Sequence, residues 1–156
     1  MSDTAVAMVV TRPLGSLSPL VAQTASPTGM WVWVRVSVTA SGMCNADIGG
    51  AAATGADTVF PVVPGHEIAG VIAELGDQVQ GWSVGDRAAV GWFGGSCGHC
   101  AFCRAGDVVH CPERKVPGLS YPGGWAQSIT VPADALARIP DELDLVDAAP
   151  LGCAGA

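Results

Sequence analysis

Basic charge is scarce in this chain of 156 residues. Seven Lys and Arg stand against fourteen Asp and Glu, a formal net charge of −7, and the only adjacent basic pair is Arg114-Lys115. Nucleic-acid binding needs Lys and Arg clustered against phosphates, so that class is excluded as a partner. Long hydrophobic runs are missing too: no segment reaches the eighteen apolar residues of a membrane span, so no membrane partner is expected. The first ten residues carry no basic group ahead of their short apolar stretch, and no secretory signal is read there. A soluble cytoplasmic protein is the expectation, in which thiols stay reduced. Also missing is any Gly-x-Gly-x-x-Gly after a strand, so a dinucleotide-binding unit is not expected within these residues.

What is present fits one globular domain with a full core. Apolar residues make up 49% of the chain, charged residues only 13%, and 21 glycines and 11 prolines punctuate short valine-rich runs. That pattern predicts many turns between strands rather than a helical bundle. The clearest strand is Trp31 to Thr39, with Val32, Val34, Val36 and Val38 on one face. A second, Ile68 to Leu75, begins directly after Pro64-Gly65-His66-Glu67 and ends at Gly76-Asp77. Further strands are read at Asp86 to Trp92 and Trp125 to Val131. Near the end, Asp144 is placed to cap a short helix that Pro150 interrupts.

Six cysteines carry the chemistry. Four form the run Cys97-x-x-Cys100-x-x-Cys103-x7-Cys111, a spacing that can wrap four thiolates around one tetrahedral Zn²⁺. A closed sulfur site of this kind is structural, whereas catalytic zinc keeps three protein ligands and an open position. An even cysteine count in a secreted chain would also suit disulfides. The remaining two, Cys44 and Cys153, together with His66 make a Cys₂His set of the kind found in catalytic zinc sites. Spacing alone leaves a second explanation open, that the two cysteines are buried core residues and the histidine is merely hydrogen-bonded.

The surrounding words resemble those of the zinc-containing medium-chain alcohol dehydrogenase family. Gly65-His66-Glu67-x-x-Gly70-x5-Gly76-x-x-Val79 matches that family's zinc signature, and the four-cysteine run matches its structural zinc lobe. Cys44, in Gly42-x-Cys44-x-x-Asp47, and Cys153, in Leu151-Gly152-Cys153-Ala154-Gly155, fall where the family has its first and last catalytic zinc ligands. The resemblance implies a mainly β, GroES-like, partly open barrel over residues 1–156, normally followed by a Rossmann domain for NAD or NADP that is absent here.

It further implies a catalytic zinc on Cys44, His66 and Cys153, with Glu67 an alternative ligand and Asp47 bonded to the free ring nitrogen of His66. The implied reaction is hydride transfer between an alcohol or aldehyde and NAD(P), with zinc acting as Lewis acid. Asn45 stands where relatives meet cofactor phosphates, and Trp92 and Phe93 where they line the substrate pocket. Full-length relatives imply a homo-oligomer. Three departures accompany the match: Ala46 and Gly49 replace the usual side chains of the proton relay, Asn45 replaces a frequent cation, and the nucleotide-binding half is missing. Cys153 is therefore expected in a frayed terminus, beside apolar surface that a second domain would cover. The competing expectation is a truncated, non-catalytic zinc-binding or interaction module.

Overall fold

The computed structural model describes residues 4–9, 18–23, 32–52 and 61–155. Its centre is a five-stranded antiparallel sheet of β3 (Trp33–Ser41), β4 (Ile68–Leu75), β5 (Arg87–Val90), β6 (Ser128–Pro132) and β7 (Leu136–Arg138), in spatial order β6-β3-β4-β5-β7. A separate ribbon pairs β1 (Thr4–Val9) with β2 (Ser18–Gln23). It joins the rest through Met8 N–H donating to Trp125 O and through a bridge between Ala7 and Ala126. Helices are short: α1 (Asn45–Ala52), α2 (Ala101–Arg104) and α3 (Leu145–Ala148). The fold is thus mainly β. Among the described residues, no helix is long and apolar enough to cross a membrane.

Strand alternation builds the core. Val34 and Val36 of β3 are fully buried and pack with Ile68 and Ile72 of β4, Ala88 and Val90 of β5, and Ile129 and Val131 of β6. Ala69 points to the opposite face of β4, where it meets Ile139 with Ala148 and Ala149 beside α3. Because β4 is buried on both faces it reads as a continuous apolar run, and its bounds coincide with those expected from sequence. Fully burying side chains of this size stabilises by about 1.5–3 kcal/mol each, before conformational entropy is set against it. Two irregularities interrupt the β3–β4 ladder, leaving Ala73 and Thr39 unpaired in turn, after which the original register returns. Such a pair bends the sheet without slipping it.

Three strands differ from expectation in their bounds, two of them for a tertiary reason. Trp31 lies outside the described residues, and β3 starts at Trp33. β5 ends at Val90 because the next segment leaves the sheet to meet the C-terminal turn, with Trp92 N–H donating to Gly152 O. Trp125 does not open β6. Its backbone N–H instead donates to Pro64 O and its indole N–H to Gly42 O, tying together the two loops that leave β3 and enter β4. Asp144 caps α3 as expected, its side chain accepting from Val146 N–H, and the 3₁₀ turn Ala149–Gly152 carries Pro150 near its start.

Candidate metal centres and cavity

Cys44 lies between the end of β3 and the first residue of α1. Its backbone N–H donates to Asp47 Oδ2 at 3.0 Å, and Asp47 N–H returns a bond to Cys44 O. The other carboxylate oxygen, Asp47 Oδ1, accepts from Gly65 N–H at 2.9 Å and lies 3.2 Å from His66 Nδ1. Asp47 is buried yet well supplied with donors, as a buried carboxylate must be. With Nδ1–H directed at Asp47, the other ring nitrogen of His66 is left as an acceptor. Gly65 adopts φ 103°, and a Cβ there would lie 2.5 Å from the Trp125 ring, so the turn that aims His66 requires glycine.

Cys153 comes from the other end of the chain. It follows the 3₁₀ turn and brings its Sγ to 3.7 Å from Cys44 Sγ. This corrects the expectation of a frayed end. Through Gly155 the terminal segment is held by Ala154 N–H donating to Glu67 Oε1 at 2.6 Å, by Gly155 N–H donating to Pro150 O, and by the buried Ala148 and Ala149. Burial foremost, then the Cys44 thiol and the Glu67 and Asp47 carboxylates, push the Cys153 thiol up to about 11.

The ligand atoms of Cys44, His66 and Cys153 all lie within 4.8 Å of one another. Sulfurs held about 2.3 Å from a tetrahedral zinc stand about 3.8 Å apart, and disulfide sulfurs about 2.05 Å. The observed 3.7 Å matches the first spacing, and all six cysteines are free thiols. The donor set therefore fits zinc. Glu67, almost fully buried, stands beside this group rather than within it. Its carboxylate presses on Gly42, where a Cβ would come within 2.3 Å of Oε2. Asn45 is exposed at the start of α1.

The other four cysteines form a compact lobe between β5 and β6. Their sulfurs also lie within 4.8 Å of one another, with Cys97 and Cys103 Sγ atoms 3.9 Å apart, so this set fits a closed metal site. Cys100 caps α2 by accepting from Cys103 N–H, and Cys111 is fully buried after the turn Val108–His110. Hydrogen bonds lower two of the thiols: the His99 backbone N–H acts first on Cys97, and the Ser96 hydroxyl first on Cys103, which falls to about 7. At those two positions the surroundings favour thiolate, the metal-binding form, whereas Cys100, despite a bond from the Cys103 backbone, is pushed up to about 11 by burial and by the Cys103, Cys97 and Cys111 thiols. His99 and Glu113 stand beside Cys97, both exposed.

A cavity of about 410 Å³ opens on the first centre. His66, Cys153 and Asp47 line it, together with Ala46, Trp92 and Arg114. Phe93 is not part of that lining. It lines a neighbouring cavity of about 350 Å³ against β7 and the C-terminal turn, while Trp92 borders both. Sequence reasoning singled out every cysteine and His66, but it missed three residues that complete the site. Trp125 and Ala154 act through backbone or indole bonds that no spacing reveals. Arg114 was legible only as half of a basic pair.

Comparison with known proteins identifies the fold and the family. Residues 31–141 match the family model described as the alcohol dehydrogenase GroES-like domain. An alcohol dehydrogenase of Geobacillus stearothermophilus is 39% identical over 125 residues, which are 78% of this chain and 36% of that protein. Among solved structures, a cinnamyl alcohol dehydrogenase from Sorghum bicolor superposes with a TM-score of 0.87 at 31% identity, covering 97% of this chain and 45% of that one. A thermostable alcohol dehydrogenase from Pyrobaculum aerophilum, solved with cobalt and zinc bound, gives 0.83 at 30% identity over 96% and 45%. The chain spans about a third of the length of the curated relatives it matches. With the family model covering most of its length and both cysteine groups in place, the chain belongs to the GroES-like domain family of the zinc-containing alcohol dehydrogenases.

Proposed function

We propose that residues 1–156 form the zinc-binding catalytic domain of an alcohol dehydrogenase that transfers hydride between an alcohol or aldehyde and NAD or NADP. Two zinc ions are assigned, one on Cys44, His66 and Cys153 and one on Cys97, Cys100, Cys103 and Cys111. The nucleotide-binding domain belongs to the full-length protein, which we assign to the cytoplasm, where thiols stay reduced, as a homo-oligomer. The observation that carries this reading is that one group offers three ligands beside a cavity, which leaves a tetrahedral position free, while the other offers four and completes the set.

Bound zinc supplies Lewis acidity toward the substrate oxygen at the open position. The chain's own residues do the rest. Asp47 holds the His66 proton at Nδ1 and fixes the ring plane, while its bonds from Gly65 and Cys44 lock the carboxylate. Glu67 anchors the turn that delivers Cys153 by accepting from Ala154 N–H. Trp92 gives the cavity an aromatic wall. Ala46 lines the same cavity without a hydroxyl, so the substrate proton leaves through water rather than through that side chain. Asn45, exposed beside Cys44, is assigned to the cofactor side, and Phe93 to the second cavity.

The test is alcohol-dependent formation of NAD(P)H by the full-length protein. Cys44→Ser is expected to abolish it while preserving the circular-dichroism spectrum. Undiminished turnover in that variant would refute the assignment.

A further inference from the structure

The four-cysteine lobe carries two ligand-bearing side chains that its closed site does not use. Among the described residues a further group of metal-ligating side chains stands beside the two already assigned: Cys97, His99 and Glu113, whose ligand atoms lie within 4.8 Å of one another. Cys97 belongs both to this group and to the closed set. His99 and Glu113 have 71% and 67% of their side-chain surfaces open to solvent, so an ion from solution reaches them directly.

The histidine is already set for coordination. Its Nδ1 lies 2.8 Å from Cys97 O, and since a carbonyl oxygen only accepts, Nδ1 carries the proton. A ring that donates one N–H to a backbone carbonyl is the usual arrangement of a metal-bound histidine. In the neutral ring the lone pair then sits on Nε2, 3.9 Å from Glu113 Oε1. Acceptor faces acceptor there, a contact that a bound cation makes favourable; a proton on Nε2 is the competing occupant. Nitrogen and oxygen ligands of a tetrahedral zinc stand about 3.4 Å apart, so a small rotation of either exposed side chain closes the pair on a metal.

Cys97 adds the attraction. Four thiolates around one Zn²⁺ leave the lobe with two negative charges, and the Glu113 carboxylate stands beside them. A thiolate sulfur keeps lone pairs after binding one metal, so it can bridge to a second. Resting on the four-cysteine assignment above, we propose that Cys97, His99 and Glu113 form an outer metal site that shares the Cys97 thiolate with the closed one. Sulfur, imidazole and carboxylate donors together suit a transition-metal cation such as Zn²⁺ or Co²⁺, not Mg²⁺ or Ca²⁺, which take oxygen. With three ligands, two of them exposed, the outer site holds its ion more weakly than the closed one and fills only when metal is in excess. His110 serves as the control: it too is exposed and meets a carboxylate, Asp107 Oδ1 at 2.7 Å, but it belongs to no such group among the described residues.

The test uses the dialysed 156-residue chain, its zinc content first read by native mass spectrometry, and titrates it with Co²⁺. Cobalt binds such ligands less tightly than zinc, so the ions already held stay in place. One Co²⁺ per chain is expected to bind in addition, with a new thiolate-to-cobalt charge-transfer band in the near ultraviolet that reports the Cys97 sulfur. His99→Ala and Glu113→Gln are each expected to weaken that binding by about tenfold or more, and His110→Ala to leave it unchanged. No additional ion, an additional ion without the thiolate band, or one held as tightly in His99→Ala would overturn the proposal. So would release of zinc as the band grows, since the cobalt would then lie in a site already assigned. Fewer than two zinc ions before cobalt is added would instead refute the metal-site reading, and this proposal with it.

Discussion

Asp47→Asn isolates the role of one carboxylate in holding the open centre. In the structure Oδ1 faces two donors, Gly65 N–H and His66 Nδ1–H, and Oδ2 faces a third, Cys44 N–H. Asparagine is nearly isosteric but can keep only one oxygen. If it keeps the side with two donors, its NH₂ confronts Cys44 N–H, and every bond that remains has lost its charge. A hydrogen bond to a charged group contributes about 1.5–3 kcal/mol, so the variant should lose about that much stability. The larger effect falls on metal binding: loss of the partner that orients a ligating histidine typically weakens affinity about 10–100-fold. The four-cysteine lobe does not contain Asp47 and should keep its affinity. Competition with a chromophoric chelator reads the two sites separately. The reasoning fails if both sites keep their affinity, or if the lobe releases its metal first.

Other outcomes follow from the same contacts. Cys100→Ser removes a ligand and the cap of α2, so thermal unfolding should shift downward and one zinc should be lost, because structural zinc contributes directly to folding. Ile72→Ala at the fully buried centre of β4 should cost about 2–5 kcal/mol in urea unfolding with both metals retained. The Ser83 backbone N–H, followed by Arg138, holds the Asp86 carboxyl below its ordinary value. A lowered folded value contributes stability above the unfolded value, and that contribution is lost as pH falls through the folded one. Asp86→Asn should therefore be less stable than the unaltered chain near neutrality, with the gap closing at pH below the usual carboxylate range, as read by thermal melts across pH.

Much of the site could be read from sequence because its ligands sit in short, closely spaced words. The cysteine run closes on itself within fifteen residues, so the lobe is a local structure. β4 was equally legible, since a strand buried on both faces needs no partner to identify it. The bounds of β5 and β6 were not, because the C-terminal turn and the Trp125 clamp decide where those strands end, and neither contact is local. The helix α1 went unread. Its sequence, with two glycines and few polar residues to mark an outer face, carries little helical periodicity. Trp92 and Phe93 are neighbours in sequence, yet the bend after Val90 places only Trp92 at the metal-facing cavity. The same limit hid Arg114, which the fold, not its sequence neighbours, brings into the lining of that cavity.

The central claim is that this chain carries two metal sites of different kinds, one open and one closed. Metal content per chain, measured by native mass spectrometry on the unaltered protein and on His66→Ala, tests it most directly. The account predicts two zinc ions in the first and one in the second, with the remaining ion resistant to mild chelation. A single zinc in the unaltered chain, or two in His66→Ala, would contradict it.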